Sequence, residues 1–217
     1  MQVLVGTTNP SKVRRFQDLL HDYDVEFLTL KDKNISQSPP ETGSTPEENA
    51  RIKARFYGNF FDVVLCNDSG LYFDALPLSD PRQPGLQIRT PQGRERLDDE
   101  AMIAYYADLV RSLGGRVLAY YLDGIAVYYK GVLTSFMESR ESARGSAFYM
   151  VDTPSPQRHI GWPLDSLSLN RTTLAYFTEQ GNLQYDESEE ASRLGRYRER
   201  LTRFLVQALH IGSGNSK

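Results

Sequence analysis

The sequence predicts an α/β fold, and three stretches carry that prediction. The chain opens with a short apolar strand, Val3-Leu4-Val5, then a polar turn, then Val13, Phe16, Leu19 and Leu20 at helical spacing. A second apolar run, Val63-Val64-Leu65-Cys66, reads as a buried strand that ends in Asn67-Asp68-Ser69-Gly70. Between them a helix announces its start, with Thr45 as N-cap, Pro46 in the first helical position and Glu48 three residues after the cap. Open α/β sheets carry ligands where strands end in this way. The same residue types also make ordinary turns.

At 217 residues the chain can bury a sizeable core, and one domain over 1–217 is expected. A net charge of −3 gives no basic face for nucleic acid and no pull towards an anionic membrane. The single cysteine, Cys66, excludes an internal disulfide. No apolar run approaches the ~20 residues of a membrane span. Met1 to Gly6 lacks the basic and long apolar regions of a signal peptide. The expectation is a cytoplasmic protein with neither nucleic-acid nor membrane partners.

Taken in order, the first helix begins near Ser11, an N-cap by residue type, with Lys12 in its first turn. Backbone N–H groups at a helix start and a lysine converge on an anion, so Thr8, Asn9 and Lys12 are candidate phosphate contacts. The turn lacks the glycines of a P-loop, and a plain βα turn with a solvated lysine is the alternative. Val25 to Leu30 is a second strand and Lys31 to Pro40 a loop. Glu48 is explained by capping, whereas Glu41 is not. Glu41 and Asp68 are candidate oxygen ligands for a hard cation. Asn49 and Lys53 share one helix face. Leu71-Tyr72-Phe73 is extended, and the proline-rich Pro77 to Pro91, with Pro84-Gly85 and Arg89, is a long loop.

A third helix runs from about Asp98 to Leu113 and stops at Gly114-Gly115. Arg116 to Tyr129 reads as a hairpin turning at Asp123-Gly124, with a further strand towards Met137. Glu138 to Arg158 is polar and reads as a mobile loop. Trp162, in a Gly/Pro setting beside Asp165, either stacks on a planar base whose edge the carboxylate reads, or plugs the core. Asp186 to His210 is a long helix with an apolar stripe through Leu194, Tyr197, Leu201, Phe204, Leu205 and Leu209, and with basic residues including Arg196. Gly212 to Lys217 is expected to be a disordered tail.

The order of these segments resembles the inosine/xanthosine triphosphate pyrophosphatase family, the Ham1-like proteins. Thr8-Asn9-Pro10-Ser11-Lys12 is similar to its T-x-N-x-x-K signature. Glu41-Thr42-Gly43, Glu48-Asn49-Ala50 and Lys53-Ala54 resemble the second motif, and Asn67-Asp68-Ser69-Gly70-Leu71 with Asp74-Ala75-Leu76 the third. Pro84-Gly85 and Arg89 resemble a P-G-x-x-x-R loop. Four motifs in order over about 90 residues are far more specific than any one. Gly161-Trp162-Pro163-Leu164-Asp165 is a variant of G-F-G-[YW]-D-P, with Pro163 and Ser166 out of pattern. The late K…S-H-R motif survives only as Leu194-Gly195-Arg196, and Asn67 stands for the first of two acids.

The resemblance implies an elongated two-lobed α/β fold around a long, mixed, twisted sheet, with a nucleotide cleft between the lobes. It implies Mg²⁺-dependent hydrolysis of nucleoside triphosphates, deaminated purines such as inosine and xanthosine among them, to monophosphate and pyrophosphate by a homodimer. Transferred by position, Asp68 and Lys53 are catalytic, and Glu41 and Asp68 hold the metal. Thr8, Asn9, Lys12, Asn49, Ser69, Arg89, Trp162, Asp165 and Arg196 contact the substrate. In that scheme Asp68 also orients or deprotonates the water, Ser69 bonds a phosphate, and Asp165 with Arg196 reads the base. A nucleotide-binding protein with weakened turnover and a Maf-type pyrophosphatase are the alternatives.

Overall fold

The computed structural model describes residues 1–179 and 189–212, with the backbone alone for 189–194. In chain order its elements are β1 (Gln2–Val5), α1 (Pro10–Leu19), β2 (Glu26–Thr29), α2 (Pro46–Tyr57), β3 (Val63–Phe73), α3 (Asp99–Ser112), β4 (Arg116–Tyr129), β5 (Val132–Met137), α4 (Arg140–Gly145), β6 (Phe148–Val151), β7 (Ser168–Leu169) and α5 (Glu189–Ala208). The strands form one mixed sheet in the order β2-β1-β3-β4-β6-β7, with β5 also paired to β4. β1 is parallel to β2 and β3, while β4 is antiparallel to β5 and β6, and β6 to β7. This is the mixed α/β sheet expected.

Helix starts follow local chemistry. Pro10 takes the first position of α1, where its missing N–H costs nothing, so the cap falls on Asn9 rather than Ser11. The Asn9 side chain accepts from the Ser11 N–H at 2.9 Å. In α2 the expected cap holds: Thr45 Oγ1 accepts from the Glu48 N–H at 3.1 Å. The Glu48 carboxylate reaches one residue further back than a capping box requires. It takes the N–H and hydroxyl of Ser44 at 2.6 and 2.7 Å, and these bonds hold its pKa down.

The chain divides into two compact units, and β3 and β4 contribute residues to both. The first comprises Met1–Ser69, Asp123–Glu138 and Leu194–Lys217. Strand side chains alternate between faces. Val3, Val5, Val63 and Leu65 therefore pack with Phe16 and Leu20 around α1 and with Leu201 and Leu205 of α5. Leu4, Val64 and Cys66 turn the other way onto Ala50, Ala54 and Tyr57 of α2. The second unit comprises Gly70–Leu122 and Ser139–Arg193. There Leu71, Phe73, Val117, Phe148 and Met150 pack on Ile103, Tyr106 and Val110 of α3.

Two further sequence readings are corrected. The expected turn at Asp123-Gly124 is absent, and β4 runs through it for 14 residues. Gly124 serves close packing instead: a Cβ there would lie 2.1 Å from the Glu47 N and 2.2 Å from the Pro46 carbonyl carbon, in the first turn of α2. The hairpin turns at Lys130-Gly131, between paired Tyr129 and Val132. Both turn residues have positive φ, 46° and 94°, as a two-residue primed turn needs. The stretch from Glu138 to Arg158 is not all loop. Ser139 caps α4, and Phe148 and Met150 of β6 bury themselves in the second unit's core. Its polar flanks mask a four-residue strand whose partners are distant in sequence. The expected start of the last helix at Asp186, and most of the tail from Gly212, lie outside the described residues. Among the described residues no helix is long and apolar enough to cross a membrane.

Candidate functional site

In the first unit the chain reverses its winding at β1. α1 leads from β1 to β2 over one face, and α2 leads from β2 to β3 over the other. β1 and β3 are parallel, and their ladder ends as the Gly6 N–H donates to the Leu65 carbonyl at 2.9 Å. Gly6 has to be glycine, because a Cβ would meet Cys66 Sγ at 2.4 Å. β3 continues past this end, so Asn67, Asp68 and Ser69 lie beyond the carboxyl end of β1. Open α/β sheets bind ligands at such a switch point.

On the α2 face everything converges on Lys53. Its ammonium donates to Asp68 Oδ1 at 2.9 Å and to Glu41 Oε1 at 2.8 Å. Burial works against the Lys53 charge, but Asp68 and Glu41 outweigh it and its pKa is raised. Asp68, 8% exposed, also receives Asn49 Nδ2 on Oδ2 at 3.0 Å. Asn49 Oδ1 in turn accepts from the Gly43 N–H at 2.8 Å. The structure thus employs Asn49, expected to touch substrate, in holding Asp68 and the loop that bears Glu41.

On the α1 face a part-buried ion pair stands beside the same strand. Arg15 Nη1 meets Asp123 Oδ2 at 2.7 Å, and Arg15 Nη2 donates to Tyr197 Oη at 3.2 Å. The Ser69 hydroxyl donates to Asp123 Oδ1 at 2.7 Å. Burial disfavours the Asp123 charge, but Arg15 and the Ser69 bond prevail and its pKa is lowered. Lys12 lies within electrostatic reach of Lys53, Asp123, Asp68 and Arg15, and has no ion pair among the described residues. Burial, reinforced by Lys53, pushes its pKa down. An ammonium in the first turn of α1, near Asp123 and Asp68 but ion-paired with neither, is placed to meet an anion.

The structure therefore gathers Asn9, Lys12, Glu41, Asn49, Lys53, Asp68 and Ser69 in the first unit, but divides Asp68 and Ser69 between the two sheet faces. Asn9 is occupied in capping α1, Thr8 is exposed, and Arg196 lies exposed on α5. Arg89, Trp162 and Asp165 belong to the second unit. Arg89 pairs with Asp99 at 2.8 Å. Trp162 is half-buried, so it does not plug the core. Asp165 Oδ2 meets His159 Nδ1 at 2.9 Å. Burial raises the Asp165 pKa while His159 opposes the rise.

Four residues escaped the sequence reading: Arg15, Asp123, Tyr197 and His159. Arg15 stands three residues after Lys12, a helical neighbour, and that spacing was the available signal. Asp123 was concealed by an Asp-Gly pair that reads as a turn. Tyr197 and His159 acquire partners only through tertiary contact.

A model of the Ham1 family matches residues 3–162. A dITP/XTP pyrophosphatase of Leptospira interrogans serovar copenhageni is 34% identical over 137 residues, 62% of this chain and 66% of that protein. Another, of Thermoanaerobacter pseudethanolicus, is 38% identical over 77 residues, which span 35% of this chain and 39% of its relative. Two solved structures share the fold across nearly the whole chain. The Staphylococcus aureus Ham1 protein has a TM-score of 0.66 at 20% identity, covering 95% of this chain and 99% of its own. A HAM1 protein from Coxiella burnetii has a TM-score of 0.67 at 21% identity, covering 96% and 100%. With the family model covering residues 3–162 of 217 and the same fold in both structures, the chain belongs to the Ham1 family.

Proposed function

We propose that the chain hydrolyses nucleoside triphosphates between the α- and β-phosphates, giving monophosphate and pyrophosphate, with deaminated purines such as inosine and xanthosine nucleotides as preferred substrates. The observation that carries this reading is the Lys12 ammonium in the first turn of α1, without an ion pair among the described residues and within electrostatic reach of Lys53, itself held by Asp68 and Glu41. The relatives named dITP/XTP pyrophosphatase support the substrate class. In this reading Lys12 binds the phosphate chain, and Asn49 and Lys53 hold Asp68 in one orientation.

The donor set also fits a magnesium ion. Among the described residues no group of three or more His, Cys, Asp or Glu side chains is arranged to hold a metal. Magnesium, however, is commonly held by one or two carboxylates together with substrate phosphates and water. Glu41 and Asp68 already converge on one cationic group, the Lys53 ammonium. These two carboxylates would hold the ion, which when bound neutralises phosphate charge. A homodimer is the expected assembly, to be read by light scattering.

The test is a pyrophosphate-release assay with Mg²⁺ over natural and deaminated nucleoside triphosphates. Turnover is expected to be fastest with inosine or xanthosine triphosphate. A second reading, nucleotide binding with weakened turnover, is favoured by the neutral Asn67 beside Asp68 and by the ammonium seated between the carboxylates. It would show as Mg²⁺-independent binding of a triphosphate with no pyrophosphate from any member of the panel.

A further inference from the structure

On the α1 face of β3 the hydrogen bonds of one hydroxyl can be assigned almost completely, and the result differs from the role its motif suggests. A serine hydroxyl has one proton to give and two lone pairs to fill. The Ser69 proton goes to Asp123 Oδ1 at 2.7 Å, because Asp123 is a carboxylate paired with Arg15 and can only accept. Asn67 Nδ2 donates towards one Ser69 lone pair at 3.4 Å and to the Asp68 carbonyl at 3.1 Å. The second bond settles which end of the Asn67 amide faces Ser69, since a carbonyl oxygen there would confront another carbonyl. One lone pair remains on Ser69, which is only part-buried. Asn67 Oδ1, on a side chain 4% exposed, is an acceptor with no donor among the described residues. This strand face therefore offers lone pairs, and both side-chain donors are already committed.

We propose that Asp123, locked by Arg15, is a positioning residue that makes Ser69 a hydrogen-bond acceptor for the attacking water. The inference rests on the reading of the site as one that cleaves triphosphates. Ser69 then does not donate to a phosphate oxygen. It receives one hydrogen of a water molecule and leaves the water oxygen a lone pair for phosphorus. The new P–O bond forms from that oxygen while the bond joining the α- and β-phosphates breaks. Pyrophosphate leaves with the bonding electron pair, and the proton released passes to bulk solvent. Arg15 is fixed in turn by Tyr197, so the acid that orients Ser69 is anchored from α1 and α5 together.

Neutron diffraction from deuterated crystals tests the orientation directly. The expected result is a Ser69 deuteron pointing at Asp123 and a D₂O molecule donating to Ser69 Oγ. A deuteron directed elsewhere, or no water at Oγ, overturns the proposal. Kinetics test its consequence: Ser69→Ala lowers kcat about ten- to a hundredfold while KM stays within about twofold. Ser69→Thr restores most of the rate. Asp123→Asn lowers kcat similarly, without adding to Ser69→Ala in the double variant. A raised KM at unchanged kcat in Ser69→Ala marks a serine that donates to phosphate and overturns the proposal. If Asp123→Asn does not fold, the Ala and Thr variants at Ser69 decide. Should the wild type release pyrophosphate from no nucleotide, the functional reading fails instead, and the neutron experiment still decides the orientation of Ser69.

Discussion

Lys12 and Lys53 are both lysines near one switch point, yet Lys53 is ion-paired with two carboxylates and Lys12 with none among the described residues, so their substitutions part ways. On the proposed function, Lys12→Met would remove a charged contact to phosphate worth about 1.5–3 kcal/mol. Titration calorimetry with a nucleoside triphosphate is expected to show weakened binding by that amount, with the fold intact. Because burial lowers the Lys12 pKa, its charge is lost below the usual 10.5. Triphosphate affinity should therefore fall as pH rises towards that lowered value, and the Lys12→Met variant should lack this alkaline decline. Lys53→Met instead leaves the buried Asp68 without its cation, which costs about 3–5 kcal/mol of stability in denaturant titration. The motif residues of this site were legible from their types and order. The division of Asp68 and Ser69 between two faces was implicit in strand alternation. The Arg15–Asp123 pair was not legible, because its members are far apart in the sequence and Asp123-Gly124 imitates a turn.

At the scale of elements, α2 delivers Asn49 and Lys53, and its position depends on two local features. Thr45 caps it, and Thr45→Ala is expected to cost about 1 kcal/mol. Gly124 lets its first turn approach β4. A Cβ there would lie 2.1 Å from a backbone nitrogen that has no flexible end to move aside. Gly124→Ala should therefore cost more than the about 1–3 kcal/mol of ordinary overpacking, and should lower activity by displacing α2. Thermal melts of the two variants rank these effects, and a Gly124→Ala protein as stable as wild type would contradict the packing described. Helix starts and the α/β class were readable because caps, prolines and apolar periodicity act locally. β6 was not, since four residues between polar flanks carry no periodic signal and the strand exists through its pairing with β4 and β7.

For the whole molecule, Asp123 links the site to acid stability. Its folded pKa lies below the ordinary 3.8. Its contribution is then present above about 3.8 and is lost as pH falls through the lower folded value. Urea titrations at decreasing pH should show wild-type stability falling in that acid window, and the fall should be shallower in Asp123→Asn. The central claim concerns the chemistry of the family fold in this chain. The most direct measurement is ³¹P NMR of inosine or xanthosine triphosphate incubated with the protein and Mg²⁺, beside Asp68→Asn. The account predicts equal amounts of nucleoside monophosphate and pyrophosphate with the wild type, and a large loss of rate in the variant. Release of orthophosphate in place of pyrophosphate, or an Asp68→Asn protein that turns over at the wild-type rate, would contradict it.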